Sequence, residues 1–319
     1  MARLLIRVPE PLRWLAGRLV LALVVMWGAA TITFAGLLLI PGDPARAVAG
    51  GVAATASPEV LARIRSEYGF DDPILVRYPR FLGRLLRGDL GVSYQQHRSV
   101  LSIITEQLWP TITLAVGGMT LGLLLAVGLA LVTADRPRPR AIAQTAEFVA
   151  LSMPTFWIGF LLLALFSFHW HVFPVLGNNG IAALVLPVIT LAIAVTGVLS
   201  QVAREGIEQA LDQPFSLTVR ARGATETRVR VRHALRHAAL PVLTLSGWMF
   251  GNLLGGVVVV ETVFARQGLG QVLVTAVRGR DYPVVTGVVL LTAGTFSVIS
   301  IGLDVLYRIV DPRIREVAR

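Results

Sequence analysis

"FVALSMPTFWIGFLLLALFSFHWHVFPVLGNNGIAALVLPVITLAIAVTGVLSQVA", residues 148–203, contains no Asp, Glu, Lys or Arg. A membrane-spanning helix needs about 20 largely apolar residues at about 1.5 Å each. The run is long enough for two such helices. Its middle, "HWHVFPVLGNNG" (169–180), gathers Pro174, Gly177, Asn178, Asn179 and Gly180, which is turn chemistry. Two spans follow, 148–169 and 181–203. Working outward, charge-free intervals recur at 19–42 and 107–134 on the N-terminal side, and at 238–260 and 282–303 on the other. The sequence therefore predicts an all-α integral membrane protein with six transmembrane helices. Pro154 and Pro187 are candidate breaks in the third and fourth spans.

The composition agrees. Of 319 residues 55% are hydrophobic and 15% charged, against about 25% charged in ordinary soluble domains. All 29 basic residues are arginine. Without lysine there is no Walker A loop and no Schiff-base amine. Without cysteine there is no disulfide, thiolate nucleophile or Cys-ligated zinc. The net charge of +10 is gathered in short segments beside apolar runs, the pattern of cytoplasmic loops and not of a nucleic-acid-binding face.

Arginine placement sets the expected orientation. Arg3, Arg7, Arg13 and Arg18 precede the first span, and Arg136, Arg138 and Arg140 follow the second. Seven arginines lie between spans four and five, and Arg308, Arg313, Arg315 and Arg319 close the chain. All fall on one side, so the ends 1–18 and 304–319 and the loop 204–237 are expected in the cytoplasm. The segment 43–106 is then an extracytoplasmic insertion, long enough to be translocated despite its arginines. Within it "SPEVLARIRSEYG" (57–69) has a Ser cap, Pro at the first helical position and a Gly stop. "DDPILVRYPRFLGRLLRG" (71–88) carries apolar residues at helical spacing, with Pro79 expected to kink or interrupt the helix.

Several sites are set aside. His169 and His171 do not share a helical face and have no carboxylate nearby in sequence. "QGLGQ" (267–271) lacks the strand and third glycine of a dinucleotide fingerprint and reads as a turn. Glu147 and Asp304 sit at membrane edges, where carboxylates usually meet headgroups or partner helices. No catalytic constellation and no metal or cofactor site emerges. Gly117, Gly118, Gly122 and Gly128 on the second span suit close helix contact.

The remaining feature is basic: "TVRARGATETRVRVRHALRH" (218–237) holds six arginines and one glutamate. Asp212 and Pro214 before it, and Gly223 within it, suit a short capped helix. "FSLTVRAR" and "RVRVR" alternate apolar and polar residues, which suits strands. Spacing alone leaves the two open.

Many fragments resemble, in order, the permease subunits of binding-protein-dependent ABC importers in the dipeptide/oligopeptide (DppB/OppB-like) family. They are "PGDPA" (41–45), "YGFDDPILVRYPRFL" (68–82), "GDLGVS" (88–93), "LSMPTFWIGFLLLALFS" (151–167), "LPVITLAI" (186–193), "VVVVETVFARQGLG" (257–270), "RGRDYPVV" (278–285) and "LDVLYRIVDPRIR" (303–315). The basic stretch is similar to the family's EAA loop, with Phe215, Val219 and Arg222 where Tyr, Ala and Lys are usual. The resemblance implies a type I importer permease fold over about 105–308 and a helical coupling segment that docks on a cytoplasmic ATPase. Pro214, Phe215, Val219, Arg220, Arg222, Gly223 and His233 are its expected coupling residues, Phe215 and Val219 as buried anchors and Arg220 and Arg222 at the rim.

The implied partners are a second homologous permease, two ATP-binding subunits that hold ATP and Mg, an extracytoplasmic binding protein and membrane lipid. The chain itself would have no ATPase site and would sit in a bacterial inner membrane. The implied cargo is di- or oligopeptides, with nickel, sugars or other small solutes as alternatives. A stand-alone secondary transporter or channel is the rival of another class. It would need midplane ionisable groups or repeated broken helices, and neither is evident.

Overall fold

The computed structural model describes residues 10–39, 42–49, 56–175, 177 and 180–310. Residues 1–9 and 311–319 of the expected cytoplasmic ends, Pro41, and the turn residues Asn178 and Asn179 lie outside them. The chain runs α1 (Glu10–Leu39), α2 (Pro44–Val48), α3 (Pro58–Tyr68), α4 (Ile74–Leu86), α5 (Val100–Thr133), α6 (Pro137–Ser152) and α7 (Thr155–Leu162). A π-helical stretch, Leu163–His169, prolongs α7. Then come α8 (Ala182–Leu211), α9 (Pro214–Ala221), α10 (Glu226–Arg228), a second π-helical stretch Val229–Ala234, α11 (Leu235–Val263), α12 (Leu269–Arg278) and α13 (Tyr282–Val310). Among the described residues the β pairing is a single bridge, Val92 to Ser99. Among the described residues five helices are long and apolar enough to cross a membrane, and the pair Pro137–Ser152 and Thr155–His169, bent by 105°, makes a sixth when taken as one span. The chain divides into two compact units, one up to Glu106 together with Leu273–Gly302, the other Gln107–Val272 with the residues from Leu303.

In the first unit, local chemistry places the short helices. Ser57 accepts from the Val60 N–H, Pro58 opens α3, and Gly69 stops it at φ +65°. Asp43 caps α2 through the Ala45 N–H (3.0 Å) and also takes Arg65 of α3 at 2.6 Å. α4 lies against the end of α1: the Thr31 and Tyr78 hydroxyls are 2.8 Å apart, and Phe34 meets the rings of Tyr78 and Phe81. Pro79, expected to interrupt this helix, does not. It sits on the exposed face, where the carbonyl of Leu75 (87% exposed) needs no internal donor. Asp281, just before α13, receives the Ser93 hydroxyl and the N–H groups of Tyr94 and Gln95, joining two segments far apart in sequence.

In the second unit α8 is the central element. Leu191, Val195 and Leu199 on it are fully buried. Gly117, Gly118 and Gly122 of α5 press directly on its Val188, Leu191 and Val195; a Cβ on Gly118 or Gly122 would stand 2.6 Å from a side-chain carbon. Gly128 meets nothing within 4 Å, so it plays no part in this contact. Between apolar helices, where lipid is as greasy as leucine, such close backbone approach is a main source of association.

The span expected at 148–169 begins inside α6. Met153 is extended because a residue preceding proline is pushed out of the helical region, and the chain turns sharply at Met153–Pro154. Pro187 lies within α8 without ending it. α8 itself continues two turns beyond the expected 203, to Leu211, and the helical path into α11 starts at Glu226 and not at 238.

Gly118→Val and Gly122→Val should each lower the stability of the purified chain by about 1–3 kcal/mol, as overpacked contacts do. Gly128→Ala should leave it unchanged or slightly raised. Thermal melts in one detergent, followed by size-exclusion fluorescence, measure all three.

Candidate functional site

The basic segment folds as a helical elbow. α8 ends at Leu211 because Asp212 and Gln213 leave the helix, and Pro214 starts α9 with its preset φ. Gln213 occupies the cap position without a side-chain bond, and Asp212 closes α8, so Asp212 is not the cap of α9. Gly223, at φ +81°, ends α9 in the left-handed region that glycine enters without strain. Thr225 then caps α10, accepting from the Arg228 N–H. The strand pattern misleads here: Val229 is buried and Val231 exposed, while Arg230 between them is nearly buried. The alternation does not sort side chains onto two faces.

α9 is held by its own chain. Phe215 and Val219 pack on a buried cluster from α5, α8, the second π-helical stretch and α11, including Ala134, Ile207, Leu211 and Val229. The Phe215 ring also stacks on His237, centroids 4.9 Å apart. Buried Ser216 donates its hydroxyl to the Leu211 carbonyl and accepts from Arg220 at 3.2 Å. Arg220 donates to both carboxylate oxygens of Glu226, from Nε at 2.8 Å and Nη2 at 3.2 Å, and so closes the elbow. The residues turned outward are different ones. Pro214, Leu217 and Ala221 form a stripe at helical spacing, with Leu217 68% exposed. Exposed Arg222 stands beside it, and Arg228, Arg232 and Arg236 line the following helix at four-residue spacing. Half-buried His233 lies in the π-helical stretch.

Phe215 and Val219, expected to anchor a partner, are thus occupied internally. Their spacing correctly marks one apolar face, but that face covers the chain's own alanine-rich cluster. Arg220, expected at the rim, is tied to Glu226 within the chain.

Behind the elbow lies a constellation that sequence reasoning missed. Arg204 and Glu147, 2% and 3% exposed, form an ion pair, with a second contact from Nη1 to Oε2 at 3.2 Å. Arg204 Nε donates to Thr133 Oγ1 and the Ser200 hydroxyl to Glu147 Oε1, both at 2.8 Å. Glu147, placed at a membrane edge by sequence, is therefore a buried member of an ionic lock across α5, α6 and α8. The signal was present. Leu199, Ala203, Ile207 and Leu211 continue one apolar stripe past Arg204, so the arginine had to lie within a packed helix.

A second buried carboxylate, Glu261 at the end of α11, receives the Thr111 hydroxyl (2.6 Å) and the N–H groups of Gly270 (2.7 Å) and Gln271 (3.2 Å). The "QGLGQ" segment is thus a turn into α12 whose small residues let backbone N–H groups reach a carboxylate of the same chain. Among the described residues no group of three or more His, Cys, Asp or Glu side chains is placed to hold a metal.

The family described as "Binding-protein-dependent transport system inner membrane component" matches residues 98–316, and its N-terminal region matches 11–115. The chain is similar to the glutathione transport system permease protein GsiC of Salmonella paratyphi A, 37% identical over 90% of this chain and 93% of that one. It is also similar to the probable peptide ABC transporter permease protein y4tP of Sinorhizobium fredii, 34% identical over 93% and 97%. Among solved structures, a chain of the MetNI methionine ABC transporter in inward-facing conformations aligns with a TM-score of 0.54 at 17% identity, over 66% of this chain and 97% of that one, which is a likeness of fold.

Removing one partner of a buried ion pair leaves an uncompensated charge and typically costs about 3–5 kcal/mol. Glu147→Ala should destabilise the chain by that amount, whereas Glu147→Leu combined with Arg204→Met should recover most of the loss. Melting of the three purified proteins in detergent measures this.

Proposed function

The chain belongs to the family of binding-protein-dependent transport system inner membrane components, and from that premise we propose that it forms half of a translocation pathway whose motion is driven through the outward stripe of α9. A second homologous permease completes the pathway, two ATP-binding subunits dock on the cytoplasmic side, and a substrate-binding protein delivers cargo from outside. Hydrolysis is the work of the ATP-binding subunits, which supply the phosphate-binding lysine this chain lacks. The cargo is a small peptide: one relative is described as a glutathione permease and another as a probable peptide permease.

The observation that carries the coupling reading is the division of labour on α9. Leu217 is exposed on a helix whose other large apolar residues are committed to the chain's own core. A leucine held out from a rigid elbow is suited to fill an apolar groove, with arginines around it fixing register. Phe215, Val219 and the Arg220–Glu226 grip convert movement of that leucine into movement of α8 and α11, because α9 cannot rotate without unstacking them. Glu147 and Arg204 tie α8 to α5 and α6, so these helices respond as a body.

Two outcomes are expected. Leu217→Asp should insert and melt like the parent, yet retain roughly thirtyfold less ATP-binding subunit on co-purification, the size of an interface hot spot. Phe215→Asp should lower the chain's own melting temperature. Wild-type retention of the ATP-binding subunits by Leu217→Asp contradicts the assignment. For orientation, the chain has no native cysteine, so a single cysteine at Leu75 should label with an impermeant maleimide in intact cells. One at Leu217 should label only after permeabilisation.

A further inference from the structure

In the first unit, a cavity of about 110 Å³ opens between the end of α1, α4 and the start of α13. Arg77, Arg80 and Arg84 of α4, at positions i, i+3 and i+7, line it together with aromatic rings, among them Tyr68, Tyr94 and Tyr282. Arg80 is taken by Asp72 at 2.6 Å, and Arg77 donates to the Phe70 carbonyl. Asp89, the acidic residue in the lining, accepts from the Gly91 N–H. The Arg84 carbonyl accepts from the Arg87 and Asp89 N–H groups, and its guanidinium has no hydrogen bond or ion pair among the described residues. Burial pushes the Tyr94 phenol up to about 12, with Arg84 pulling the other way, so this hydroxyl stays a donor at physiological pH.

A second, almost wholly apolar groove of about 750 Å³ shares Leu85 and Leu90 with this cavity. It is walled by Met26 and Trp27 of α1 and by Leu290, Gly294 and Val298 of α13. Along α13 it extends from Gly287 to Ile299, a rise of about 18 Å at 1.5 Å per residue. That is close to half of a hydrocarbon core of about 30 Å, the depth of one leaflet.

We propose that the cavity and groove together hold one anionic glycerophospholipid, its phosphate on Arg84 and Arg77 and one acyl chain along α13. The charge, the tyrosine rings at the mouth and the one-leaflet depth are the three features such a molecule requires, and they adjoin in the right order. The bound lipid fills the space between two spanning helices and α4, and so holds α1 in place. That the leaflet is the outer one rests on the orientation given above, which the cysteine labelling tests separately.

The test uses the assembled transporter in nanodiscs of phosphatidylcholine with or without phosphatidylglycerol. Retained lipid is counted by native mass spectrometry after mild delipidation. The parent should keep phosphatidylglycerol in preference to phosphatidylcholine. Arg84→Glu should lower that retention roughly tenfold or more, and Arg138→Glu, an exposed arginine on α6, should not. Gly294→Phe, which places a ring in the groove, should abolish retention while ATP-binding subunits still co-purify, and it decides the matter if Arg84→Glu does not assemble. Equal retention of the two lipids by the parent, or unchanged retention in Gly294→Phe, overturns the proposal. So does cross-linking of a cysteine at Gly294 to the companion permease, which would mean that a protein helix occupies the groove. Stabilisation of the parent by inorganic phosphate alone, matching that by phosphatidylglycerol, would reduce the site to an anion site and overturn its lipid assignment.

Discussion

Arg204 and Glu147 tie three helices of the second unit together through one buried ion pair. Two charges taken out of water are tolerable only while they hold each other and their remaining donors and acceptors are met. Thr133 and Ser200 meet them here. Because the four groups come from α5, α6 and α8, these helices cannot slide past one another without separating a buried pair. The apolar surface immediately beyond Arg204 on α8, at Ile207 and Leu211, is where Phe215 and Val219 rest. The elbow therefore stands on a platform held by a buried ion pair as well as by apolar packing.

This arrangement gives α9 two faces with different duties. One face is spent on the chain itself, through Phe215, Val219, Ser216 and the Arg220–Glu226 grip. The other presents Pro214, Leu217 and Ala221 beside exposed arginines. A lever needs both, a rigid root and a free contact surface. Glu261 performs a similar internal service at the far end of α11, where its carboxylate holds the first N–H groups of α12.

Much of this was legible in the sequence, and the rest was hidden for identifiable reasons. Spans follow from charge-free length, and the α3 caps at Ser57, Pro58 and Gly69 follow from local chemistry; neither needs tertiary information. The helix α8 runs past the charge-free interval that ends at Ala203, because its apolar stripe continues beyond Arg204 to Leu211. Glu147 could not be paired with Arg204 from pattern, since the two lie 57 positions apart and nothing local links them. Phe215 and Val219 show a harder limit. Periodicity finds an apolar face but cannot say whether the surface that covers it belongs to the same chain or to another. Pro79 shows a milder one: a proline on an exposed face does not break its helix.

Leu217 is exposed and Phe215 is packed on the chain's own core, so Leu217 is the side chain proposed to meet the ATP-binding subunit. Single cysteines at the two positions, introduced into the cysteine-free chain and assembled with ATP-binding subunits carrying a photoactivatable thiol-reactive cross-linker scan, separate the alternatives directly. Position 217 should give cross-links that strengthen or weaken with bound nucleotide, and position 215 should give none. Cross-links from position 215 with silence at 217 would contradict this assignment.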